Sequence, residues 1–248
     1  MDDELGCRMG RVEQMIRYAY WNMGSKGIVI GLSGGIDSAV AAAFCCRAVG
    51  PANVVGLFLP TTVSNPADGE DVAALCRQLG MNHEVVSISP VLEGYRSMPG
   101  FVETPYLLGN LMARTRMAVL YYYANRENRL VCGTSNKSEY LLGYCTKYGD
   151  NAADLQPILH LYKTDVYVVA RELGIPEQIL KKTPSAGLWE GQSDEAEIGL
   201  TYPEIDASLR ALEGQGWEAR TPAETKVLAH VKKSGHKRQA APSLLGVL

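Results

Sequence analysis

Residues 27–32 (GIVIGL) and 33–38 (SGGIDS) decide the fold of this 248-residue chain. The first stretch is short, apolar and rich in β-branched residues, which predicts a strand buried inside a parallel sheet. An alanine-rich run over residues 37–49 follows and predicts a helix. The turn between them predicts a phosphate-binding loop, because Gly34 and Gly35 permit positive φ and their N–H groups form a concave anion site.

Outward from this unit, predicted strands alternate with predicted helices, which favours a parallel sheet covered by helices. The strands are predicted at 27–32, 53–59, 84–88 and 129–132, and the helices at 8–23, 37–49, 68–79, 106–125 and 163–173. We therefore predict an α/β fold with a doubly wound, mostly parallel sheet, helices on both faces and a helical C-terminal segment. Ligands of such sheets bind at the carboxyl ends of the strands.

The chain is predicted to form one domain over residues 1–248. Its α/β core is expected at about 24–182, followed by a mobile loop at 183–193 and a helical part at 194–248. The loop is predicted from its proline and two glycines and from its lack of apolar periodicity.

Composition excludes several classes of protein. The net charge is -3, which disfavours coating of nucleic acid through the overall field. No apolar run approaches the roughly 20 residues that span a bilayer, and no apolar signal core follows the N-terminus. The six cysteines form no CxxC pair and are expected to be reduced packing residues. We expect a cytoplasmic protein with neither a membrane nor a nucleic acid as its partner.

The phosphate loop carries polar side chains that suit ATP. Ser33 and Ser38 offer hydroxyl donors, whereas Asp37 would repel a phosphate and is better suited to hold Mg²⁺. The alternative is a glycine-rich turn in which Asp37 or Ser38 caps the following helix.

Two further polar segments follow the fourth predicted strand. In 133–139 (GTSNKSE), Thr134 offers a hydroxyl and Glu139 a second oxygen ligand that could share Mg²⁺ with Asp37. The alternative is a capping segment with Ser135 or Asn136 as the N-cap and an exposed Glu139. The segment 146–154 (TKYGDNAAD) combines a cation with acids, and its alternative is a solvated loop.

The loop at 33–38 resembles the SGGxDS loop of the N-type ATP pyrophosphatases, which implies cleavage of ATP into AMP and pyrophosphate. Together with the later segments it resembles the ammonia-dependent NAD synthetases, over about residues 12–238. The resemblance implies an adenine nucleotide alpha hydrolase-like fold. The matching positions are Thr134, Glu139, 146–150, Asp154, Pro157, Lys163, 183–186, 193–195, 202–206 and 236–238.

The resemblance also implies roles for individual residues. Contacts with ATP are implied for Gly31, Leu32, Ser33, Gly34, Gly35, Ile36, Asp37, Ser38, Thr134, Lys163 and Ser185. Contacts with nicotinic acid adenine dinucleotide (deamido-NAD) are implied for Arg114, Lys147, Asp154, His236 and Lys237. Asp37 and Glu139 would bind Mg²⁺, and Asp37, Lys163 and Asp154 are the expected catalytic residues. For Lys163 the alternative is a solvated helix start, and for Arg114 a surface ion pair.

The implied reaction converts deamido-NAD, ATP and ammonia to NAD, AMP and pyrophosphate through an acyl-adenylate. Ammonia is expected because no room for an amidase domain precedes the matched segments. The resemblance further implies a homodimer through the predicted helix at 106–125, whose apolar residues would otherwise belong to the core. A tRNA-modifying pyrophosphatase that uses the basic run 232–238 and an inactive nucleotide-binding module are the competing interpretations.

Three features depart from the family pattern. The double glycine before Asp154 is Ala152-Ala153, residues 61–69 contain no Arg or Lys, and the tail after Arg238 lacks an aromatic, acidic ending. Backbone contacts in the first segment and adenine contacts in the second are therefore not assigned.

Overall fold

The computed structural model describes residues 3–185 and 193–241. Its strands are β1 (Gly27–Gly31), β2 (Val54–Phe58), β3 (Asn82–Val85) and β4 (Arg129–Cys132). Its helices are α1 (Asp3–Asn22), α2 (Ile36–Val49), α3 (Pro66–Leu79), α4 (Ser89–Arg96), α5 (Pro105–Glu127), α6 (Lys137–Leu142), α7 (Lys163–Glu172), α8 (Glu177–Leu180), α9 (Asp194–Ile198), α10 (Tyr202–Gly214) and α11 (Pro222–Lys233). Short 3-10 turns cover Pro51–Asn53 and Gly235–Lys237.

The strands of the described ranges form one sheet in the order β3-β2-β1-β4, and each neighbouring pair is parallel. From β1 the chain adds β2 and β3 on one side and then crosses to β4 on the other. The order of the sheet therefore reverses between β1 and β4, and the loops that follow these two strands open a crevice at their carboxyl ends. This topology confirms the predicted doubly wound fold.

Both faces of β1 are buried, which explains its unbroken apolar sequence. Ile28 and Ile30 pack with α1, α2, α3 and α7, whereas Val29 faces the opposite way and packs with α4 and α5. All three side chains are fully buried. The two helical layers are thus fixed by alternate residues of the central strand.

The C-terminal helices form a further apolar cluster beside the sheet. Ile205, Leu209 and Leu212 of α10 pack with Leu142 of α6 and Val227 of α11. This packing confirms the predicted helical C-terminal segment and places α10 against α6 and α7.

Several predicted boundaries were wrong. The third strand is Asn82–Val85 rather than 84–88, although its alignment with β2 continues, since Val86 N donates to Phe58 O (2.9 Å) and Ile88 N to Pro60 O (3.1 Å). Its first residues are polar because β3 lies at the sheet edge. The short helices α4 and α8 were not predicted, whereas α9 lies in the predicted helical part and α6 follows the predicted cap at Asn136. Cys7 is exposed, so the expectation that every cysteine packs internally was wrong for it.

The predicted mobile loop at 183–193 lies mostly outside the described residues, as do positions 242–248 of the tail. Within 3–185 and 193–241, no helix combines the length and apolarity that crossing a membrane requires.

Candidate active site

The phosphate loop is braced by its own serine hydroxyls. Ser38 Oγ donates to Gly35 O (3.0 Å) and accepts from Ser33 N (3.3 Å), while Ser33 Oγ accepts from Gly35 N (3.2 Å). Gly35 is the N-cap of α2 and provides no side-chain cap, so the alternative in which Asp37 or Ser38 caps this helix was wrong. The opening turn of α2, starting at Ile36, can therefore present its N–H groups to an anion.

Gly34 makes the turn of this loop. Its φ is +78°, and a Cβ at this position would lie 3.1 Å from the Cα of Asp68 at the start of α3. Gly35 has φ -96° in extended backbone, so the expectation of positive φ holds for Gly34 and was wrong for Gly35. The chain reverses at Gly34 and has already taken up the N-cap conformation at Gly35.

Lys163 joins the loops that follow β1 and β4. Its ammonium group pairs with Asp37 of α2 and lies 3.1 Å from Glu139 Oε1 of α6. The Lys163 side chain is 3% exposed, so the alternative of a solvated helix start was wrong. The crevice predicted from topology therefore holds one cation between two carboxylates.

Asn136 fixes the relative position of these two acids. Its Nδ2 donates to Asp37 Oδ1 (2.9 Å), and its Oδ1 accepts from Glu139 N (3.0 Å) as the N-cap of α6. The residue is fully buried. The capping alternative was right about Asn136 but wrong about Glu139, whose side chain is 17% exposed and faces Lys163.

Burial and neighbouring charges shift the pKa values of Glu139 and Lys163. Burial raises the pKa of Glu139 to about 7; Lys163 opposes this rise, and Asp37 adds to it. Burial by itself would lower the pKa of Lys163, but the attraction of Asp37 and Glu139 outweighs it and raises that pKa. Lys163 consequently stays charged.

The donor set suits Mg²⁺ bound jointly with a nucleotide. Asp37 and Glu139 bring hard oxygen ligands to one point, and Mg²⁺ commonly takes one or two carboxylates and completes its shell with phosphates and water. Within the residues that the structure describes, no group of three or more His, Cys, Asp or Glu side chains could hold a metal by itself. The two carboxylates thus suit an ion that the phosphates of a nucleotide also bind.

Lys182 is a cation of this region that was not predicted. Its Nζ lies 2.6 Å from Asp68 Oδ1, 2.5 Å from Asp71 Oδ2 and 3.2 Å from Gly34 O. It therefore ties α3 to the phosphate loop. One signal in the sequence could have indicated this role, because Lys182 directly precedes the segment 183–186, which contains Ser185.

The remaining predicted ATP contacts border these loops. Thr134 is half-buried, two positions after β4, and Gly133 before it donates to Leu155 O (2.8 Å). Ser185 is exposed at the end of the described range that precedes position 186. Ala153, which replaces a glycine of the family pattern, packs closely against Gly133. A Cβ on Gly133 would lie 2.8 Å from the Ala153 methyl group.

A second cluster gathers most of the residues predicted to contact the dinucleotide. Lys147 Nζ donates to His236 O (2.8 Å), Lys237 Nζ donates to Gly143 O (2.7 Å), and Arg114 donates to Lys147 O (3.3 Å). The Arg114 guanidinium thus contacts the 146–150 loop. Among the residues that the structure describes, Arg114 forms no ion pair, so the alternative of a surface ion pair was wrong. A cavity of about 310 Å³ lies here, lined by Tyr140, Lys147, Tyr148, Asn151, Lys237 and Gln239, among others.

Asp154 lies outside this hydrogen-bond network. Its Oδ2 accepts from Val131 N (2.7 Å), and its Oδ1 accepts from Tyr121 OH (3.2 Å). It is therefore held between β4 and α5. Lys147 and Lys237 instead donate to main-chain oxygens, of His236 and Gly143 respectively.

Comparisons with known proteins identify the family of this chain. The family model for NAD synthase matches residues 9–241. The chain is 69% identical over 247 residues to an NH(3)-dependent NAD(+) synthetase of Methanoregula boonei, with 100% of both chains covered. It is 38% identical to the solved NMN synthetase of Francisella tularensis (TM-score 0.87; 95% of this chain and 96% of that chain). It is 35% identical to the NH3-dependent NAD synthetase of Campylobacter jejuni, solved with nitrate (TM-score 0.84; 98% and 100% covered). The chain belongs to the NAD synthase family.

Proposed function

We propose that this site couples the nicotinate carboxylate of deamido-NAD to ammonia, using ATP, through an acyl-adenylate. Membership of the family makes the chain an ammonia-dependent ligase of NAD biosynthesis. The observation that carries the residue-level proposal is the convergence of the phosphate loop, Glu139 and Lys163 in one crevice. A tRNA-modifying activity has no comparable support, since the relatives act in NAD synthesis by name.

ATP would bind with its phosphates on the loop after β1. The N–H groups of the loop and of the first turn of α2 would contact phosphate oxygens. The contacting residues in this proposal are Gly31, Leu32, Ser33, Gly34, Gly35, Ile36, Asp37, Ser38, Thr134, Lys163 and Ser185. The internal serine hydrogen bonds support this role because they hold the loop in shape.

Asp37 and Glu139 would hold Mg²⁺. Bound there, the ion supplies charge neutralisation for the phosphates of ATP. Lys163 would place its ammonium group beside the departing pyrophosphate, where negative charge accumulates as the bond to the α-phosphate breaks. Asn136 would keep the two carboxylates in register, as it does in this structure.

Deamido-NAD would bind in the cavity that Lys147 and Lys237 line. Arg114, His236 and Asp154, which do not line this cavity, are proposed as further contacts with the dinucleotide. Cations there suit a substrate that carries a pyrophosphate. A nicotinate carboxylate oxygen would attack the α-phosphorus of ATP, with loss of pyrophosphate. The nitrogen of ammonia would then attack the acyl carbon and expel AMP, with one proton released. Asp154 is our candidate for the group that accepts this proton.

The chain is further proposed to act as a homodimer through α5. Tyr106 is 73% exposed, Tyr122 is 63% exposed and Leu107 is 48% exposed. These apolar surfaces lie on the helix that also carries Arg114, so a partner there would lie near the dinucleotide cavity.

The function is tested by incubating the protein with ATP, Mg²⁺, ammonium and deamido-NAD. NAD, AMP and pyrophosphate are expected in equal amounts. A parallel reaction with nicotinic acid mononucleotide separates the two chemistries that the names of the structural neighbours indicate. Release of ADP instead of AMP, or AMP release that requires tRNA, would contradict the proposal. Faster turnover of the mononucleotide would instead make the chain an NMN-forming ligase.

A further inference from the structure

Helix α10 contacts Lys163 and its surroundings at two points one turn apart. Tyr202 is the first residue of α10, and Asp206 follows four positions later. Residues at this spacing share one face of a helix. Both side chains are buried, at 3% and 2% exposure, and both face α7, which begins at Lys163.

Asp206 caps α7 from outside that helix. Its Oδ2 accepts from Thr164 N (2.8 Å), and its Oδ1 accepts from the hydroxyl of Ser138. The same Ser138 oxygen accepts from Lys163 N (2.9 Å). The first two amide groups of α7 are thus satisfied by one carboxylate, directly for Thr164 and through a fully buried serine for Lys163.

This cap addresses an electrostatic problem in the site. A helix that begins with a lysine places a cation at the positive end of its own dipole, which is unfavourable. Asp37 and Glu139 pair with the ammonium group, and the carboxylate of Asp206, with Asp165 in the first turn of α7, offsets the positive end of the helix. An ionised carboxylate in the interior is itself unfavourable unless it accepts hydrogen bonds, and the two bonds here meet that requirement. Asp206 and the start of α7 therefore stabilise each other.

Tyr202 contacts the other end of Lys163. The Lys163 Nζ lies 5.1 Å from the centre of the Tyr202 ring, within the range of a cation–π contact. The Tyr202 hydroxyl donates to Asp194 Oδ2 (3.0 Å), and its main-chain N–H donates to Glu195 Oε1 (2.7 Å). Burial, with the nearby carboxylates of Glu139 and Asp194, raises the pKa of Tyr202, so the phenol keeps its proton and remains a donor.

We propose that Asp206 and Tyr202 are positioning residues for Lys163, with Asp206 fixing its backbone through Ser138 and Tyr202 supporting its ammonium group. The consequence for catalysis rests on the role proposed for Lys163 in pyrophosphate departure. A side chain with four rotatable bonds needs such support to lie between Asp37 and Glu139 without sampling other rotamers. The C-terminal helical part would thus take part in the reaction without contacting the substrate.

A purely structural role for Asp206 predicts something different. A cap that only stabilised the fold would, when removed, lower the melting temperature and reduce activity by the same factor whatever residue occupied position 163. A positioning residue loses its effect on kcat once Lys163 is absent, because there is then no ammonium group to place. A double-mutant cycle distinguishes the two.

The test compares Asp206→Asn in the wild-type chain and in Lys163→Met, using ATP–pyrophosphate exchange and steady-state kcat. Ser208→Ala is the control, because Ser208 is a buried polar residue of α10 whose hydroxyl donates within that helix, to Glu204 O (2.8 Å). We expect Asp206→Asn to lower kcat about 10- to 100-fold in the wild-type chain and less than about twofold in Lys163→Met. The KM for ammonium should not change, and Ser208→Ala should leave kcat unaltered. Ser138→Ala is a milder second variant if Asp206→Asn does not fold.

A second measurement does not depend on activity. The rate at which sulfo-NHS acetate acetylates Lys163, followed by mass spectrometry, reports how well the side chain is held. It should rise in Asp206→Asn and in Tyr202→Leu, return towards the wild-type rate in Tyr202→Phe, and remain unchanged in Ser208→Ala. Equal kcat losses in both backgrounds, or an unaltered acetylation rate, would overturn the inference. Should Lys163→Met retain full activity while the acetylation rate rises, the positioning stands and the catalytic role of Lys163 falls.

Discussion

The ammonium group of Lys163 pairs with the carboxylate of Asp37, although 126 positions separate the two residues in sequence. Glu139 completes the contact from a third segment, 24 positions before Lys163. Each of the three segments starts a helix at the carboxyl edge of the sheet. One ion cluster therefore joins the phosphate loop, α6 and α7.

Replacing Lys163 with Met is expected to reduce kcat by about 10²- to 10³-fold, the usual effect of removing a group that stabilises transition-state charge. The KM for deamido-NAD should change little, because the dinucleotide cavity is lined by other residues. The control is Lys181→Met, since Lys181 forms an exposed pair with Glu177 (side chains 74% and 68% exposed). Steady-state kinetics check both variants, and a Lys163→Met enzyme with wild-type kcat would refute the assignment.

Glu139→Gln should weaken the dependence of nucleotide binding on Mg²⁺. One hard oxygen ligand remains at Asp37, so the Mg²⁺ concentration for half-maximal activity should rise by about tenfold or more. The same change should appear without turnover, as a smaller Mg²⁺-dependent increase in melting temperature in the presence of ATP. Glu177→Gln, on the exposed pair, is the matched control. An unaltered Mg²⁺ requirement would place the metal elsewhere.

Gly34→Ala should be more harmful than Gly35→Ala. The first substitution places a Cβ on a residue with φ +78° and 3.1 Å from Asp68, whereas Gly35 has φ -96° and a Cβ there would approach only the Ser33 hydroxyl, at 3.2 Å. We expect Gly34→Ala to lose about 1–3 kcal/mol of unfolding free energy and to raise the KM for ATP. Chemical denaturation of both variants checks the difference. Equal effects would mean that the left-handed turn is not what the loop requires.

Lys237→Met should raise the KM for deamido-NAD and leave that for ATP unchanged. Lys237 joins the 3-10 turn to the main chain of Gly143 and Cys145, which borders the proposed dinucleotide cavity (2.7 and 2.6 Å). Lys233→Met, at an exposed position of α11, serves as the control. A rise in the KM for ATP alone would assign this cavity to the other nucleotide.

Tyr122→Glu should convert a dimer to a monomer if α5 is the contact surface. A charge at a position that is 63% exposed in one chain is tolerated by the monomer but not inside an apolar interface. Sedimentation velocity measures the change. Tyr18→Glu is the control, since Tyr18 is 71% exposed on α1, which packs on the opposite face of the sheet from α5. A dimer that persists in Tyr122→Glu and dissociates in Tyr18→Glu would move the interface to α1.

The parts of the fold that could be predicted from the sequence carry local signals. Residues 27–32 are apolar on both faces, and the glycines and serines that follow bear the chemistry of an anion site within a few positions. The strand at the sheet edge was misplaced because Asn82 and His83 are polar, and an edge strand need not be apolar. Short helices such as α6 contain too few residues to show a period.

The contacts within the site were harder to predict from the sequence. The proximity of Asp37 and Glu139 was predicted, because both follow strands of a parallel sheet whose carboxyl ends meet at one edge; the Lys163 ammonium group between them was not. The contributions of Asp206, Tyr202 and Lys182 were not, since each reaches the site from an element whose place depends on tertiary packing. A carboxylate that caps a different helix leaves no pattern in its own sequence. Asn136, in contrast, could be predicted as an N-cap from its residue type, but not its second bond to Asp37.

In the proposed reaction a nicotinate carboxylate oxygen attacks the α-phosphorus of ATP. Deamido-NAD labelled with ¹⁸O in both oxygens of that carboxylate tests this step, with the products analysed by mass spectrometry. We expect AMP to carry one ¹⁸O atom, NAD to retain the other in its amide, and pyrophosphate to carry none. Label in pyrophosphate, or AMP without label, would contradict it.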